Sequence, residues 1–193
     1  MAENQEIERK FLVQGDEFFE YLTDGIVEGK KFENSKITQA YLQVGDVEKR
    51  VRQDGDKYIG TVKVSKDGDG MVCGETNTEI TKEEFEAGKE NCIGNVIEKT
   101  RYRIPLDSTQ GLTAEVDIYA GALGGLVVAE VEFKDKEAAN AFDPFAINWL
   151  GADVTSRKEY KNQNLALNGK PRPFDLLAEA EAELAAEAKE HIS

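Results

Sequence analysis

Apolar and polar residues alternate over eight stretches of the chain, a pattern that is typical of β-strands. The stretches are residues 5–13, 38–44, 47–53, 57–65, 71–80, 96–104, 112–120 and 126–133. Short turn sequences separate several of them, such as Val44-Gly45-Asp46 and Asp54-Gly55-Asp56. Turns of this length join neighbouring antiparallel strands, so the pattern predicts a sheet that is built from hairpins.

Helix signals lie in the gaps between these stretches. The candidate helix caps are Asp16, the capping box of Thr81 with Glu84, and Asp135. An Ala-, Glu- and Leu-rich segment over residues 174–190 predicts a terminal helix. The sequence therefore predicts one domain over residues 1–170, followed by an acidic helical tail over residues 171–193.

The number of strands favours one architecture. A closed barrel has no exposed sheet edges, and a single domain with eight antiparallel strands is well suited to form one. The sequence thus predicts a β-rich α+β fold, a closed eight-stranded antiparallel β-barrel with flanking helices.

Charged residues recur on one face of most predicted strands, because residues two positions apart on a strand share a face. The basic residues at such positions are Lys10, Arg50, Arg52, Lys63, Lys99, Arg101 and Arg103. The acidic residues are Glu6, Glu8, Glu75, Glu79, Glu115, Asp117, Glu130 and Glu132. These charges face either water or the barrel interior. We favour the interior, because like charges so close together on strand after strand would be mildly unfavourable on an open face.

Composition limits the chemistry of such an interior. The formal charge of −14 argues against a duplex nucleic-acid binder, which normally presents a basic surface. Cys73 and Cys92 lack a zinc-binding spacing, and the only histidine is His191 near the end of the chain, so a Ser-His-Asp or Cys-His site is not indicated. Oxygen ligands would favour Mg²⁺ or Mn²⁺. The chain has no apolar run long enough to span a membrane and no signal peptide, which predicts a cytoplasmic protein.

Several short motifs recur in order along the chain. The first is a Glu-x-Glu-x-Lys signature at Glu6, Glu8 and Lys10. The others are residues 37–42, Arg50-x-Arg52, Thr61-x-Lys63, residues 98–103, Glu115-Val116-Asp117, Glu130-Val131-Glu132 and residues 149–155 followed by Tyr160. This set resembles the motifs of the CYTH, or triphosphate tunnel metalloenzyme, superfamily, and in particular its short single-domain bacterial members. The resemblance covers residues 5–167 and rests on the order of the whole set.

This resemblance implies a metal-dependent hydrolase that binds a triphosphate, most simply inorganic tripolyphosphate, in a charged barrel tunnel. A class IV-type adenylyl cyclase and a thiamine triphosphatase are the enzymatic alternatives. The non-enzymatic alternative is a polyphosphate- or nucleotide-binding protein with weak catalysis. The expected partner is a triphosphate-containing small molecule, without nucleic acid or membrane, and the protein is expected to be a monomer or homodimer.

The resemblance also assigns roles to all of these charged positions except Glu79. The implied catalytic residues are Lys10, Arg52 and Glu132. The implied substrate-binding residues are Lys10, Arg50, Arg52, Lys63, Lys99, Arg101 and Arg103. The implied ligands of Mg²⁺ or Mn²⁺ are Glu6, Glu8, Glu75, Glu115, Asp117, Glu130 and Glu132.

Two segments depart from the family pattern. Cys73-x-Glu75-x-Asn77 stands where the family has Arg-x-Glu-x-Glu, which predicts weaker metal binding because one carboxylate is replaced by a neutral amide. Near the C-terminus, Arg157 and Glu159 exchange the signs of the family's Asp-x-Arg-Tyr segment. An ion pair within the protein should survive this exchange, whereas an arginine contact with phosphate should not.

Overall fold

The computed structural model of the protein describes residues 4–65, 72–106 and 111–171, and gives the backbone alone for a few of them. The predicted acidic tail lies outside the described residues, apart from Pro171 at its start. The domain boundary at residue 170 therefore stays a prediction.

The described residues form nine strands and four α-helices. The strands are β1 Asn4–Val13, β2 Glu33–Gln43, β3 Val47–Asp54, β4 Lys57–Ser65, β5 Val72–Glu79, β6 Ile93–Pro105, β7 Thr113–Tyr119, β8 Val127–Phe133 and β9 Leu150–Asp153. The helices are α1 Gly15–Val27, α2 Lys82–Glu90, α3 Lys136–Ala141 and α4 Asn162–Asn168. None of the helices in this described part of the chain is long and apolar enough to cross a membrane.

All strand pairs in the sheet are antiparallel, in the order β5-β4-β3-β2-β6-β7-β8-β1-β9. The β-rich α+β class, the antiparallel sheet and the flanking helices are confirmed. The prediction of a closed eight-stranded barrel is wrong in its number of strands, because the sheet has nine. The short strand β9 adds a ninth member, which pairs with the second half of β1 between Phe11 and Val13. On the same side of β1, β5 reaches only the first half of the strand, along four residue pairs between Asn4 and Ile7.

The caps of two helices follow the sequence prediction. The Thr81 hydroxyl accepts a hydrogen bond from the Glu84 backbone at 3.1 Å, and the Glu84 carboxylate accepts one from the Thr81 backbone at 2.7 Å. Asp135 likewise accepts from the Ala138 backbone at 2.7 Å. The predicted cap at Asp16 is wrong, because α1 begins one residue earlier and Asp16 lies in its first turn. A carboxylate in the first turn still interacts favourably with the helix dipole.

Helices cover the outer faces of the strands and bury their apolar side chains. Phe11 of β1 and Phe18 of α1 are fully buried in the largest cluster, and the Phe18 ring lies 5.2 Å from that of Trp149. In a separate cluster, Phe85 of α2 packs against Ala40 and Val51. Burial of these outer faces leaves the charged faces of the strands to point inward, as the sequence analysis favoured.

Candidate active site

The inner faces of β1 to β8 surround a cavity of about 610 Å³. This volume is within the range of small-molecule sites, but the lining is highly charged rather than apolar. The predicted site residues that line the cavity are Glu8, Lys10, Arg50, Arg52, Lys63, Glu75, Lys99, Arg101, Arg103, Glu115, Glu130 and Glu132. The side chain of Glu6 lies outside the described part of the structure.

The strand register places opposite charges side by side within this cavity. Lys10 of β1 lies directly opposite Glu130 of β8, and Arg101 of β6 lies opposite Asp117 of β7. Lys63 of β4 is similarly paired with Glu75 of β5. Cross-strand ion pairs of this kind compensate much of the charge on the inner face of the sheet.

Lys10 and Glu130 form one of the buried pairs, with 2.9 Å between Nζ and Oε1. Burial disfavours the charged form of both side chains, but their attraction outweighs it. The neighbouring carboxylates of Glu130 and Glu8 raise the pKa of Lys10. Lys10 and Arg101 lower the pKa of Glu130 well below its usual range. Both groups are therefore charged at neutral pH.

Asp117 lies behind the cavity lining, with only 1% of its side chain exposed. Its Oδ2 is 2.5 Å from the Lys99 ammonium, and its two oxygens accept hydrogen bonds of 2.7 Å from Arg101. Arg101 also donates to Glu115 and, at 2.9 Å, to Glu130. The oxygens of Asp117 are thus committed to two cations, and its implied role as a metal ligand stays a prediction.

The pKa values in this cluster follow from burial and charge. Burial opposes ionisation of Asp117, but Arg101 and Lys99 outweigh it and lower the pKa of the carboxyl. Burial and the repulsion from Arg101 lower the pKa of Lys99 to about 8, in spite of the contact with Asp117. Lys99 therefore carries its charge at neutral pH and loses it in mildly alkaline solution.

Arg50 and Arg52 differ in how far their charges are compensated. Arg50 contacts Glu48 at 3.3 Å and Glu75 at 3.5 Å. Within the described residues Arg52 forms no salt bridge, and its buried Nε has no hydrogen-bond partner. Burial lowers the pKa of Arg52, and repulsion from Arg50 and Arg101 lowers it further. Asp54 and Glu75 attract Arg52, but neither forms a salt bridge with it within the described residues, so its charge is less compensated than that of Arg50.

Glu132 shows the converse arrangement, an anion without a salt bridge among the described residues, whereas Glu8 contacts Lys63 at 3.7 Å and Glu115 contacts Arg103 at 3.4 Å. Burial raises the pKa of Glu132, and the charges of Glu8 and Glu115 raise it further. A divalent cation would relieve this repulsion, and carboxylate oxygens are the donors that Mg²⁺ and Mn²⁺ prefer. In the part of the chain that the structure describes, no three acidic, histidine or cysteine side chains converge on one ion position. The donor chemistry therefore fits the metal, with one or two carboxylates available at a time.

The cavity also contains residues that the sequence analysis did not include in the site. Gln39 and Tyr41 lie on the inner face of β2, and Glu48 lies two positions before Arg50 on β3. Alternation along the strands could have identified all three. Asn162 of α4 also lines the cavity and accepts a hydrogen bond of 2.6 Å from the Tyr119 hydroxyl. That contact joins residues far apart in sequence and has no local signal.

Both departures from the family pattern have partners in the structure. Asn77 lines the cavity, where it accepts from Thr61 and donates to Glu75. The Arg157 guanidinium lies 2.8 Å from the Glu159 carboxylate, so the predicted ion pair is confirmed.

Comparison with known proteins identifies relatives over most of the chain. The model of the CYTH domain matches residues 4–149. An inorganic triphosphatase from Nitrosomonas europaea is 37% identical over 165 residues, which cover 84% of this chain and 97% of the relative. An inorganic triphosphatase from Acetivibrio thermocellus is 33% identical over 175 residues, which cover 85% of this chain and 94% of the relative.

Solved structures show the same similarity. The crystal structure of an inorganic triphosphatase is 34% identical, with a TM-score of 0.58, and the match covers 86% of this chain and 97% of that one. A putative adenylyl cyclase from Hippeastrum with a dominant triphosphatase activity has a TM-score of 0.61, over 88% of this chain and 97% of that one. Its 15% identity shows a shared fold alone.

Proposed function

The chain belongs to the CYTH domain family, and we propose that it is an inorganic triphosphatase that hydrolyses tripolyphosphate to pyrophosphate and orthophosphate. The names of its curated relatives support this activity, at 37% and 33% identity over nearly their whole length. Dependence on a divalent metal is a general property of the family. The choice of Mg²⁺ or Mn²⁺ rests on the all-oxygen donors of the cavity.

The observation that carries the proposal is the state of Arg52. Its guanidinium is largely buried and is repelled by Arg50 and Arg101 more than Asp54 and Glu75 attract it, and it forms no salt bridge within the described residues, so an anion from outside the protein would stabilise it. A phosphate group fits this requirement, because its oxygens can accept two parallel hydrogen bonds from the planar guanidinium. A triphosphate offers three such groups, which could also reach Arg50, Lys63 and Lys99.

Glu8, Glu115, Glu130 and Glu132 would hold the metal, together with Glu6, which the family resemblance also implies as a ligand. Mg²⁺ is usually bound by one or two carboxylates together with the phosphates of a substrate, which suits a site where no three carboxylates of the described residues converge on one point. When bound, the metal would neutralise phosphate charge as the anhydride bond breaks.

The remaining roles concern the phosphate oxygens and the attacking water. We propose that Lys10 and Arg52 hold phosphate oxygens and stabilise the charge that develops on them in the transition state. Glu132 would accept a proton from the water that attacks the terminal phosphorus. Its pKa is raised towards the working pH, which makes it a better proton acceptor than an ordinary glutamate. The new bond joins the water oxygen to phosphorus, the anhydride bond breaks, and pyrophosphate is released.

A substrate comparison with matched variants tests the proposal. Purified protein is given tripolyphosphate, ATP or thiamine triphosphate with Mg²⁺ or Mn²⁺, and the release of phosphate, pyrophosphate and cyclic nucleotide is measured. We expect tripolyphosphate to be the best substrate, with phosphate and pyrophosphate as products. Arg52→Ala should reduce kcat/KM about a hundredfold, which is typical for the loss of one transition-state donor.

The matched control is Lys49→Ala, because Lys49 lies on the same strand but is exposed on its outer face. This variant should retain wild-type activity. Full activity in Arg52→Ala would show that the unpaired guanidinium is not part of the site. Cyclic nucleotide as the main product would identify a cyclase, and binding without turnover would identify a binding protein.

Location and assembly stay predictions. We propose a cytoplasmic protein that acts on a triphosphate-containing small molecule, without nucleic acid or membrane partners, as a monomer or homodimer.

A further inference from the structure

Asn77 links two other inner-face residues through its amide group. The Thr61 hydroxyl, which is almost fully buried, donates to Asn77 Oδ1 at 2.6 Å. Asn77 Nδ2 then donates to Glu75 Oε1 at 2.8 Å. The threonine hydroxyl fixes the orientation of the amide, and the amide in turn presents its donor to the carboxylate.

The other oxygen of Glu75 faces two cations. Glu75 Oε2 lies 3.5 Å from the Arg50 guanidinium and 3.7 Å from the Lys63 ammonium. Only 8% of the Glu75 side chain is exposed. Both oxygens of this carboxylate therefore have partners within the protein. One accepts from the Asn77 amide, and the other faces Arg50 and Lys63, which bind phosphate in the proposed function.

The amide at position 77 makes this arrangement possible. An amide has both a donor and an acceptor, whereas an ionised carboxylate has acceptors alone. A glutamate at this position, as in the family pattern, could not donate to Glu75 and would repel it. With an amide at position 77, Glu75 contacts Arg50 and Lys63. A carboxylate at position 77 would instead give the site a second anion that could bind a metal.

We propose that Asn77 is a positioning residue, which holds Glu75 against Arg50 and Lys63 as an internal counter-ion that competes with the phosphates of the substrate. Glu75 is then not a metal ligand in this protein. The inference rests on the proposed function, because it assumes that Arg50 and Lys63 bind phosphate. It predicts that Glu75 compensates the charges of Arg50 and Lys63 in the substrate-free protein. Because the substrate then has to compete with Glu75 for these cations, Glu75 weakens substrate binding.

Two binding measurements test the proposal without relying on turnover. Tripolyphosphate binding is measured calorimetrically in EDTA, so that no metal contributes. Mn²⁺ binding is measured without phosphate, from the electron paramagnetic resonance signal of the free ion. The proteins are the full-length wild type, Glu75→Gln, Asn77→Ala, the double variant, and Glu132→Gln as a metal-site comparison.

Glu75→Gln should lower the Kd for tripolyphosphate about threefold to tenfold, because Arg50 and Lys63 lose a competing anion. It should leave Mn²⁺ binding unchanged, whereas Glu132→Gln should weaken it. Asn77→Ala should lower the tripolyphosphate Kd about twofold in the wild-type background and leave it unchanged in the Glu75→Gln background. Such non-additivity shows that Asn77 acts through Glu75.

Thr78→Ala is the control for a general effect on β5, because Thr78 is exposed on the opposite face of the strand. It should change neither Kd. The proposal is overturned if Glu75→Gln weakens Mn²⁺ binding as Glu132→Gln does, or if Asn77→Ala has the same effect in both backgrounds. Failure of the proposed function has a different signature, a wild type that does not hydrolyse tripolyphosphate, and the Mn²⁺ comparison still decides whether Glu75 is a ligand.

Discussion

Asp117→Asn is the substitution that best tests the charge balance behind the cavity. It keeps the size of the side chain and removes the negative charge that Lys99 and Arg101 share. The amide can accept hydrogen bonds through one oxygen, but its nitrogen is a donor that would face the donors of two cations. Arg101 keeps Glu115 and Glu130 as partners, whereas Lys99 loses its nearest anion.

The expected cost follows from the burial of the pair. Removing one partner of a buried ion pair typically costs about 3–5 kcal/mol, because the other charge remains buried and uncompensated. Since only 1% of either side chain is exposed, solvent cannot replace the lost partner. In a domain of this size, the cost corresponds to a fall in Tm of roughly 6–20 °C.

The cost should also depend on pH. The pKa of Lys99 is lowered to about 8, below that of an unfolded lysine. Below pH 8 the folded lysine is charged and needs Asp117, whereas above pH 8 it becomes neutral and needs the carboxylate less. The difference in unfolding free energy between the variant and the wild type should therefore be larger at pH 7 than at pH 9.

Urea unfolding monitored by circular dichroism at pH 7 and pH 9 measures both effects. The control is Glu33→Gln, which removes one exposed carboxylate from Arg103 and should cost less than about 1 kcal/mol. A loss of stability in Asp117→Asn as small as that of the control would refute the reasoning. A loss that is equal at both pH values would refute its dependence on the charge of Lys99.

Three further predictions concern packing, backbone and substrate affinity. Phe85→Ala should lower the unfolding free energy by about 3–5 kcal/mol, because the side chain is fully buried under α2; a change below about 1 kcal/mol in urea unfolding would contradict this. Gly94→Ala should destabilise the protein by more than about 1 kcal/mol, since φ is +74° and a Cβ atom would lie 2.6 Å from the Ala166 carbonyl oxygen; an unchanged Tm would argue against it. The KM for tripolyphosphate should rise above pH 8 as Lys99 loses its charge, and this rise should be weaker in Lys99→Gln; equal profiles would remove Lys99 from the substrate site.

Much of the fold and the cavity could be predicted from sequence because both depend on alternation along strands. Glu8 and Lys10 share a face of β1 whatever the rest of the chain does, and Glu130 and Glu132 share one on β8. The apolar residues between them, such as Val131, then have to be covered by helices. Local chemistry therefore determined which charges face inward.

The remaining features depend on contacts between distant parts of the chain. Strand β9 has four residues and pairs with Phe11 and Val13, more than a hundred residues away, so no local pattern distinguishes it from a loop. Asp117 shares a periodicity with Glu115, yet Glu115 lines the cavity and Asp117 lies behind it. Alternation specifies a face of the sheet but not the depth of each side chain, which depends on the curvature of the sheet and on the partners across it.

The cavity differs from the whole protein in the balance of its charges. The chain has a formal charge of −14, whereas nine basic and seven acidic side chains line the described cavity. Charges at the outer surface are screened over about 8 Å at physiological ionic strength, so a triphosphate inside the cavity responds mainly to the local excess of cations. The acidic side chains among them have a physical reason to be present. A cluster of arginines and lysines alone would repel itself during folding, and each internal carboxylate reduces that repulsion until a phosphate takes its place.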